Sequence, residues 1–327
     1  MGKPRIIISA GDVNGVGPEV AVKALMDPGV FSSIAPVFAG PHRVFRDVAE
    51  SLSAPFRIVE QSGEPERSDE IPCVLPENCP VPERKLGQAT PEAGALAVKC
   101  IVHAAETVMR GDADALVTAP INKAAIHMAG YEYAGHTELL AELTGTEDYR
   151  MMLVAGNAHV VHVTTHLSLR DALEAISEDR IAKTIELTDL GLRRLGIAVP
   201  RIVVAALNPH AGEGGIFGDE EKKEIAPAVE KSVSKGINAS GPFPPDTVFQ
   251  RLFAGDFDAA IAMYHDQGHI AVKSASFESA VNMTLGLPIV RTSPAHGTAF
   301  DIAGSNIANP SSMIAAIKLA ARAASNG

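Results

Sequence analysis

The chain has 327 residues, of which 46% are hydrophobic and 20% charged, and its formal net charge is -11. That apolar share supports a substantial core and excludes a disordered chain. The acidic balance argues against a nucleic-acid partner, which needs a basic footprint, although a few convergent cations can still hold a small anion.

The length allows two lobes or one large α/β domain. Cys73, Cys79 and Cys100 are odd in number and form no C-x-x-C pair, so neither a disulfide framework nor a thiolate zinc site is indicated. The first apolar run is too short for a signal peptide, and no stretch resembles a membrane span. The expectation is a cytoplasmic globular protein without a membrane or nucleic-acid partner.

Arg5 to Ser9 is β-branched and short, and predicts a buried strand. The loop Gly11-Asp12-Val13-Asn14-Gly15-Val16-Gly17 follows, and Pro18 suits the first turn of a helix. Its glycine spacing matches neither the dinucleotide fingerprint nor the P-loop, and a tight strand-to-helix turn accounts for it. Val37 to Ala39 and Arg57 to Val59 predict short strands around a helix from about Val44 to Ser51. Residues 61 to 88, rich in Glu, Pro and Ser, predict a surface excursion. Pro91 opens a long helix through Met109, in which His103 is expected as a packed histidine. Ala115 to Pro120 predicts a strand. Lys123, just beyond it, is equally suited to a substrate and to a solvated helix start, and His127 is expected to be structural.

Gly135-His136-Thr137-Glu138 opens a helix to Leu143 and offers an imidazole, a hydroxyl and free N–H groups together, a seat for phosphate or carboxylate. An ordinary threonine N-cap is the alternative. Met151 to Val154 and His159 to Thr165 predict a hairpin turning at Gly156-Asn157. His159 and His162 are expected on the strand surface, and His166 falls at the strand end. A helix spans Arg180 to Leu195, and Arg201 to Leu207 is a strand that ends in Asn208-Pro209-His210. The helix Glu220 to Lys235 is expected to be solvated on its charged side, and Asp246 sits in a rigid turn. Asp258 to Gly304 is the most informative stretch: an apolar strand, Ala259 to Tyr264, ends in His265-Asp266-Gln267-Gly268. Lys273, Asn282 and Arg291 follow, and the segment closes on the small-residue loop from His296 to Gly304. Strand, loop and helix units with apolar strands predict an α/β fold with a largely parallel sheet.

His166, His210 and His265 each follow an apolar strand, where ligands collect in open α/β sheets. Three imidazoles with one open position suit a divalent ion such as zinc, cobalt, manganese or magnesium. Lys273 and Arg291 would supply positive charge for phosphate or carboxylate, or else pair on the surface. Asp266 and Lys273 are the catalytic candidates.

The loop His-Gly-Thr-Ala-Phe-Asp-Ile-Ala-Gly at His296 resembles the adenosine-binding loop of the isopropylmalate and isocitrate dehydrogenase fold. On that resemblance His296, Gly297, Thr298 and Asp301 would hold the nucleotide and Asn309 would read adenine, with Asp301 favouring NAD. More of the chain follows one family. Gly-Asp-x-x-Gly-Val-Gly-Pro-Glu at Gly11, Thr-Ala-Pro-Ile-Asn-Lys at Thr118, Gly-His-Thr-Glu at Gly135, Thr-Thr-His at Thr164, Leu-Asn-Pro-His-Ala-Gly-Glu-Gly-Gly at Leu207 and Tyr-His-Asp-Gln-Gly at Tyr264 resemble the 4-hydroxythreonine-4-phosphate dehydrogenases of vitamin B6 biosynthesis.

The resemblance implies a two-lobed isopropylmalate-dehydrogenase-like fold, with a nucleotide lobe of residues 1–130 and 282–327 and a metal, substrate and dimerisation lobe of 131–281. It implies a homodimer whose interdomain site is completed across the interface, with metal on His166 and His210 of one chain and His265 of the other. His136, Thr137, Lys273, Asn282 and Arg291 would contact the phosphorylated substrate. The reaction implied is NAD-dependent oxidation of the C3 alcohol, followed by decarboxylation. Asp12-Val13-Asn14-Gly15 departs from the commoner Asp-Pro-Ala-Gly. Gly214-Gly215-Ile216-Phe217-Gly218 and Gln267-Gly268-His269-Ile270 resemble catabolic paralogues acting on threonate or erythronate 4-phosphate. A non-redox metal hydrolase could use the same histidines, but it has no need of the loop at His296.

Overall fold

The computed structural model describes residues 2–60, 67–275 and 280–326. The first part of the expected surface excursion, 61–66, and residues 276–279 of the stretch from Asp258 to Gly304 lie outside the described residues. The chain divides into two compact units, Met1–Glu147 with Leu287–Ser325, and Asp148–Gly286.

The first unit contains β1 (Arg5–Ser9), α1 (Gly17–Leu25), α2 (Pro28–Ser33), β2 (Ala35–Ala39), α3 (His42–Ser51), β3 (Arg57–Glu60), β4 (Glu70–Val74), α4 (Pro91–Met109), β5 (Ala115–Thr118), α5 (Lys123–Met128) and α6 (His136–Leu143). The second contains β6 (Arg150–Ala155), β7 (Ala158–His162), α7 (Leu169–Ala175), α8 (Glu178–Arg194), β8 (Ile202–Ala205), α9 (Ala226–Ser234), β9 (Ala239–Phe243), α10 (Pro245–Phe253), β10 (Ala259–Ala262), α11 (His265–Ala275) and β11 (Val281–Leu285). The chain then returns to the first unit for β12 (Arg291–Pro294) and α12 (Ser311–Ser325).

In the first unit the strand order is β3-β4-β2-β1-β5-β12, parallel throughout. Ile6, Ile7 and Ile8 of β1 are wholly buried, because neighbouring strands flank β1 on both sides and helices cover both faces. Thr90 caps α4 by accepting from the Ala93 N–H at 3.2 Å, and Pro91 follows where a missing N–H costs nothing. In the second unit the order is β11-β6-β7-β10-β8-β9; β6 runs antiparallel to β11 and β7, and the other pairs are parallel. Val160, Val203, Ala260, Val248, Leu252 and Val272 form its core, which joins α10 and α11 to β7, β8 and β10. Together these make the expected α/β fold with a mostly parallel sheet.

Four expectations change. Residues 61 to 88 are not all surface excursion: β4 lies within them, paired to β2 and β3, with Ile71 and Cys73 buried. Its apolar run is short and interrupted by Pro72, which hid it. His159 and His162 are not on a strand surface but 1% exposed: β7 is an inner strand, the His159 ring is paired with the Asp258 carbonyl, and α11 packs on His162. The helix expected from Glu220 begins as a wider turn at Glu221–Ile225, and Glu221 is buried. Relative to the expected lobe boundaries, α6 falls in the first unit and β11 in the second, where β11 pairs along its whole length with β6.

Candidate active site

In the first unit, three loops that leave the sheet pack on one another. The Val16 N–H donates to the Thr298 carbonyl at 3.0 Å, and the Gly87 N–H donates to the Asn14 carbonyl at 2.9 Å. A Cβ on Gly15 would lie 2.7 Å from the Thr298 carbonyl oxygen and 2.8 Å from its Cβ, so only glycine permits this approach. The glycine loop therefore shapes the loop at His296, a role its spacing alone does not reveal. On α1, Glu19 accepts from the Ala308 N–H at 2.8 Å and from Lys23 at 2.8 Å, and Lys23 donates to the Asn306 and Ala308 carbonyls. This clamp fixes the chain just before Asn309. The Asn309 Oδ1 accepts from the Ser311 N–H and hydroxyl, which leaves its NH2 as the end available to a ligand. His296, Gly297 and Asp301 are exposed and Thr298 is buried. An exposed carboxylate beside a shaped loop fits an adenosine ribose.

The same unit assembles a cationic corner. Arg291 is 2% exposed, and its Nε and one terminal nitrogen donate to the Thr118 Oγ1 at 3.1 and 2.7 Å. Burial lowers its pKa to about 10, opposed by Glu138, so it stays a cation at neutral pH. The His136 Nε2 lies 3.2 Å from the Ala119 carbonyl, which can only accept, so Nε2 carries the proton. Burial, with Arg291 second, pushes His136 well below its ordinary range. His136 is thus neutral and its Nδ1 lone pair can accept from a substrate hydroxyl or ammonium. Gly135 precedes α6 and Thr137 occupies its second position, so the threonine N-cap reading does not hold. Thr118, which orients Arg291, is a residue that sequence reasoning missed.

The second unit carries the three candidate metal ligands. His166 follows β7 with φ of 54°, and His210 follows β8 with φ of 52°. Left-handed backbone at two non-glycine residues is uncommon and clusters at functional positions. His210 belongs to a left-handed turn in which His210, Ala211, Gly212, Glu213 and Gly214 all have positive φ. The Glu221 carboxylate braces the entry to this turn: it accepts from the Leu207 N–H at 2.9 Å, the Asn208 N–H at 2.7 Å and the Asn208 side-chain amide at 3.0 Å. Burial opposes the charge on Glu221, but these hydrogen bonds outweigh it and hold the acid below its usual range.

His265 opens α11, and its ring centroid lies 5.9 Å from that of His166. Its Nδ1 is 2.7 Å from the Asp266 carboxylate, which makes Nδ1 the donor; in the neutral ring, the form that binds a metal, Nε2 is then the lone pair. A carboxylate on the far nitrogen is the usual support of a metal-binding imidazole. No group of three His, Cys, Asp or Glu side chains among the described residues is placed to hold a metal. The imidazole donors are of the kind that suits a divalent ion. Lys273, at the end of α11, is exposed and makes no ion pair among the described residues. The Asn282 Oδ1, on β11, is buried without a hydrogen-bond partner, an orphan acceptor suited to a ligand. Lys123 and Asp246 are exposed, and the His127 ring is paired with the Tyr133 carbonyl, as expected of a structural histidine.

Comparison with known proteins gives the wider setting. The family model described as pyridoxal phosphate biosynthetic protein PdxA matches residues 32–320. The D-threonate 4-phosphate dehydrogenase of Salmonella typhimurium is 44% identical over 96% of this chain and 97% of its own length. The 4-hydroxythreonine-4-phosphate dehydrogenase of Desulfosudis oleivorans is 45% identical over 97% of this chain and 95% of its own. A crystal structure of 4-hydroxythreonine-4-phosphate dehydrogenase from Klebsiella pneumoniae superposes with a TM-score of 0.85 at 43% identity, covering 98% of this chain and 100% of that one. With the family model matched over most of the chain and relatives above 40% identical along nearly its whole length, the chain belongs to the PdxA family of pyridoxal phosphate biosynthetic proteins.

Proposed function

We propose that this chain is an NAD- and divalent-metal-dependent dehydrogenase that oxidises 4-hydroxythreonine 4-phosphate at its C3 alcohol, after which the β-keto acid loses carbon dioxide. The observation that carries the reading is His265 at the start of α11, whose Nδ1 is committed to the Asp266 carboxylate so that Nε2 is the nitrogen left to a ligand, in a chain of this family. His166, His210 and the partner subunit's His265 are the assigned metal ligands, so the working form is a homodimer. Exposed apolar side chains near these histidines in sequence, Leu167, Leu169, Leu173, Ile216, Phe217 and Ile270, suit burial against a second copy.

A bound divalent ion would lower the pKa of the C3 hydroxyl and draw electron density from the ketone that forms. The chain's own groups do the rest. Arg291 sets positive charge for the anionic substrate, and Lys273 contributes a second nitrogen. Neutral His136 accepts a hydrogen bond at Nδ1, while Thr137 and Asn282 fix the remaining polar groups. Lys273 is the group assigned to take the proton of the substrate hydroxyl, and NAD, when bound, would supply the hydride acceptor. Asp266 holds the His265 ring. His296, Gly297, Thr298 and Asp301 seat the adenosine half of NAD, and the Asn309 NH2 donates to the base.

D-threonate 4-phosphate is the second reading. It is favoured by the relatives of that name and by Gln267-Gly268-His269-Ile270. Both substrates present a hydrogen-bond donor at C2, ammonium or hydroxyl, which the Nδ1 of His136 accepts equally. The test is NADH formation with zinc, manganese or magnesium, offering both phosphates and erythronate 4-phosphate. Turnover of the amino acid phosphate is expected. Preference for a sugar-acid phosphate replaces the first reading by the second, and no NADH from any of them refutes both.

A further inference from the structure

The geometry points to His162 and His269 as positioning residues that lock the ring of His265 from behind, through a relay of fixed tautomers. The inference rests on His265 being a metal ligand and adds to that assignment the groups that hold it in place.

The relay starts at a backbone carbonyl. His162, at the end of β7, places Nδ1 3.3 Å from the Met151 carbonyl of β6. A carbonyl only accepts, so Nδ1 carries the proton and Nε2 of the neutral ring is bare. That Nε2 lies 3.2 Å from the Nδ1 of His269. Two bare nitrogens would repel, so His269 must be protonated at Nδ1. The same N–H is shared with the His265 carbonyl, 3.1 Å away, one turn earlier on α11. His269 is thereby held between a strand side chain and its own helix.

The ring of His269 lies flat against that of His265, with centroids 3.6 Å apart and planes 13° from parallel. His265 therefore has two restraints: Asp266 pins its Nδ1, and His269 blocks rotation of its plane. Its Nε2 is left bare by the first and aimed by the second. Gly268 supplies an independent sign that the arrangement is built. A Cβ there would collide with the His162 Nε2 and lie 2.8 Å from the Val160 Cγ1. Helix α11 approaches β7 this closely only because residue 268 has no side chain, and the approach brings His269 within reach of His162.

The experiment compares zinc affinity, by competition with a chromogenic chelator, for the whole protein and three variants. His162→Leu removes the acceptor, and about a 10–100-fold weaker affinity is expected, the usual effect of losing a group that supports a ligand. His162→Gln places an oxygen near the position of Nε2 and is expected to restore most of the affinity. Unchanged affinity in His162→Leu overturns the proposal, and so does equal loss in both variants, which would mean packing alone. His265→Ala separates the two layers of inference. If it also keeps its zinc, the metal assignment fails and the relay with it; if it alone loses zinc, only the relay fails. Should His162→Leu not fold, imidazole 15N shifts of the unaltered metal-free protein decide. Protonated Nδ1 on both His162 and His269 supports the relay, and an Nε2-protonated His269 overturns it.

Discussion

Replacing Glu221 by Ala tests whether the left-handed turn carrying His210 is held from outside. Three non-glycine residues, His210, Ala211 and Glu213, sit in left-handed backbone. At about 1–2 kcal/mol each, the turn carries about 3–6 kcal/mol of backbone cost. Against it stand three hydrogen bonds to a buried carboxylate, from the Leu207 and Asn208 N–H groups and the Asn208 amide. Bonds to a charged group are worth about 1.5–3 kcal/mol each, a sum of the same size. Without Glu221 the turn relaxes and recovers part of its strain, so the expected net loss is about 2–3 kcal/mol, with weaker zinc binding because His210 is no longer presented. Urea unfolding followed by circular dichroism measures the first and chelator competition the second. Ala211→Gly removes one strained Cβ and is expected to return up to about 1 kcal/mol when combined with Glu221→Ala. The sign of the pH effect follows from the lowered pKa of Glu221. Its stabilisation is complete above the unfolded carboxylate value of about 4.3 and is lost as pH falls through the folded value. The gap between the wild type and Glu221→Gln should therefore close in acid. A loss below about 0.5 kcal/mol with unchanged zinc affinity would refute the reasoning, since ordinary surface changes are of that size.

Three further substitutions test other parts of the chain. Thr118→Val removes the acceptor that holds Arg291, and KM for the phosphorylated substrate should rise about tenfold while KM for NAD stays put; equal change in both would count against the assignment. Gly15→Ala would press a Cβ on Thr298, and NAD affinity measured by fluorescence titration should fall while zinc affinity does not. Asp12 is wholly buried with Oδ2 unpartnered, and burial raises its pKa to about 6, against the lowering effect of the Asn14 N–H. A raised carboxylate pKa favours the protonated folded state, so its cost grows between about pH 4 and pH 6 and is full above that. Asp12→Asn should then melt higher than the wild type at pH 7 but not at pH 4, and a pH-independent difference would sink the argument.

What could be read from the sequence was whatever repeats locally. Arg5–Ser9 is a strand because three isoleucines in a row have nowhere to go but a doubly covered sheet. The hairpin at Gly156-Asn157 and the histidines at strand ends were legible for the same reason: turn chemistry and position along a strand are local. What escaped depends on neighbours far away in the chain. His162 looks like a strand-surface residue until α11, a hundred residues later, packs Gly268 and His269 against it. Glu221 looks like one more charge on a solvated helix until its carboxylate is seen to cap two N–H groups beyond β8. β9 runs through Gly241-Pro242, residues that depress strand propensity, and exists because β8 offers it an edge. Thr118 opens a motif legible in the sequence, but its role as the acceptor for Arg291 was not, because that partner lies 173 residues away.

The first unit is made from both ends of the chain, and this bears on how the protein is born. Its strands β1 to β5 leave the ribosome early, but β12, which pairs with β5, and α12, which packs on β12, come only after the whole of Asp148–Gly286. At about 5–20 residues per second, that interruption lasts of the order of 10 s. Throughout it, one edge of β5 is unpaired, and the strand is the apolar Ala-Leu-Val-Thr, wholly buried in the finished fold. Such an edge invites pairing with another nascent chain. The second unit, made of consecutive residues, faces no such wait. Aggregation during synthesis should thus begin at β5, and slowing translation within 148–286 should worsen it more than slowing anywhere else.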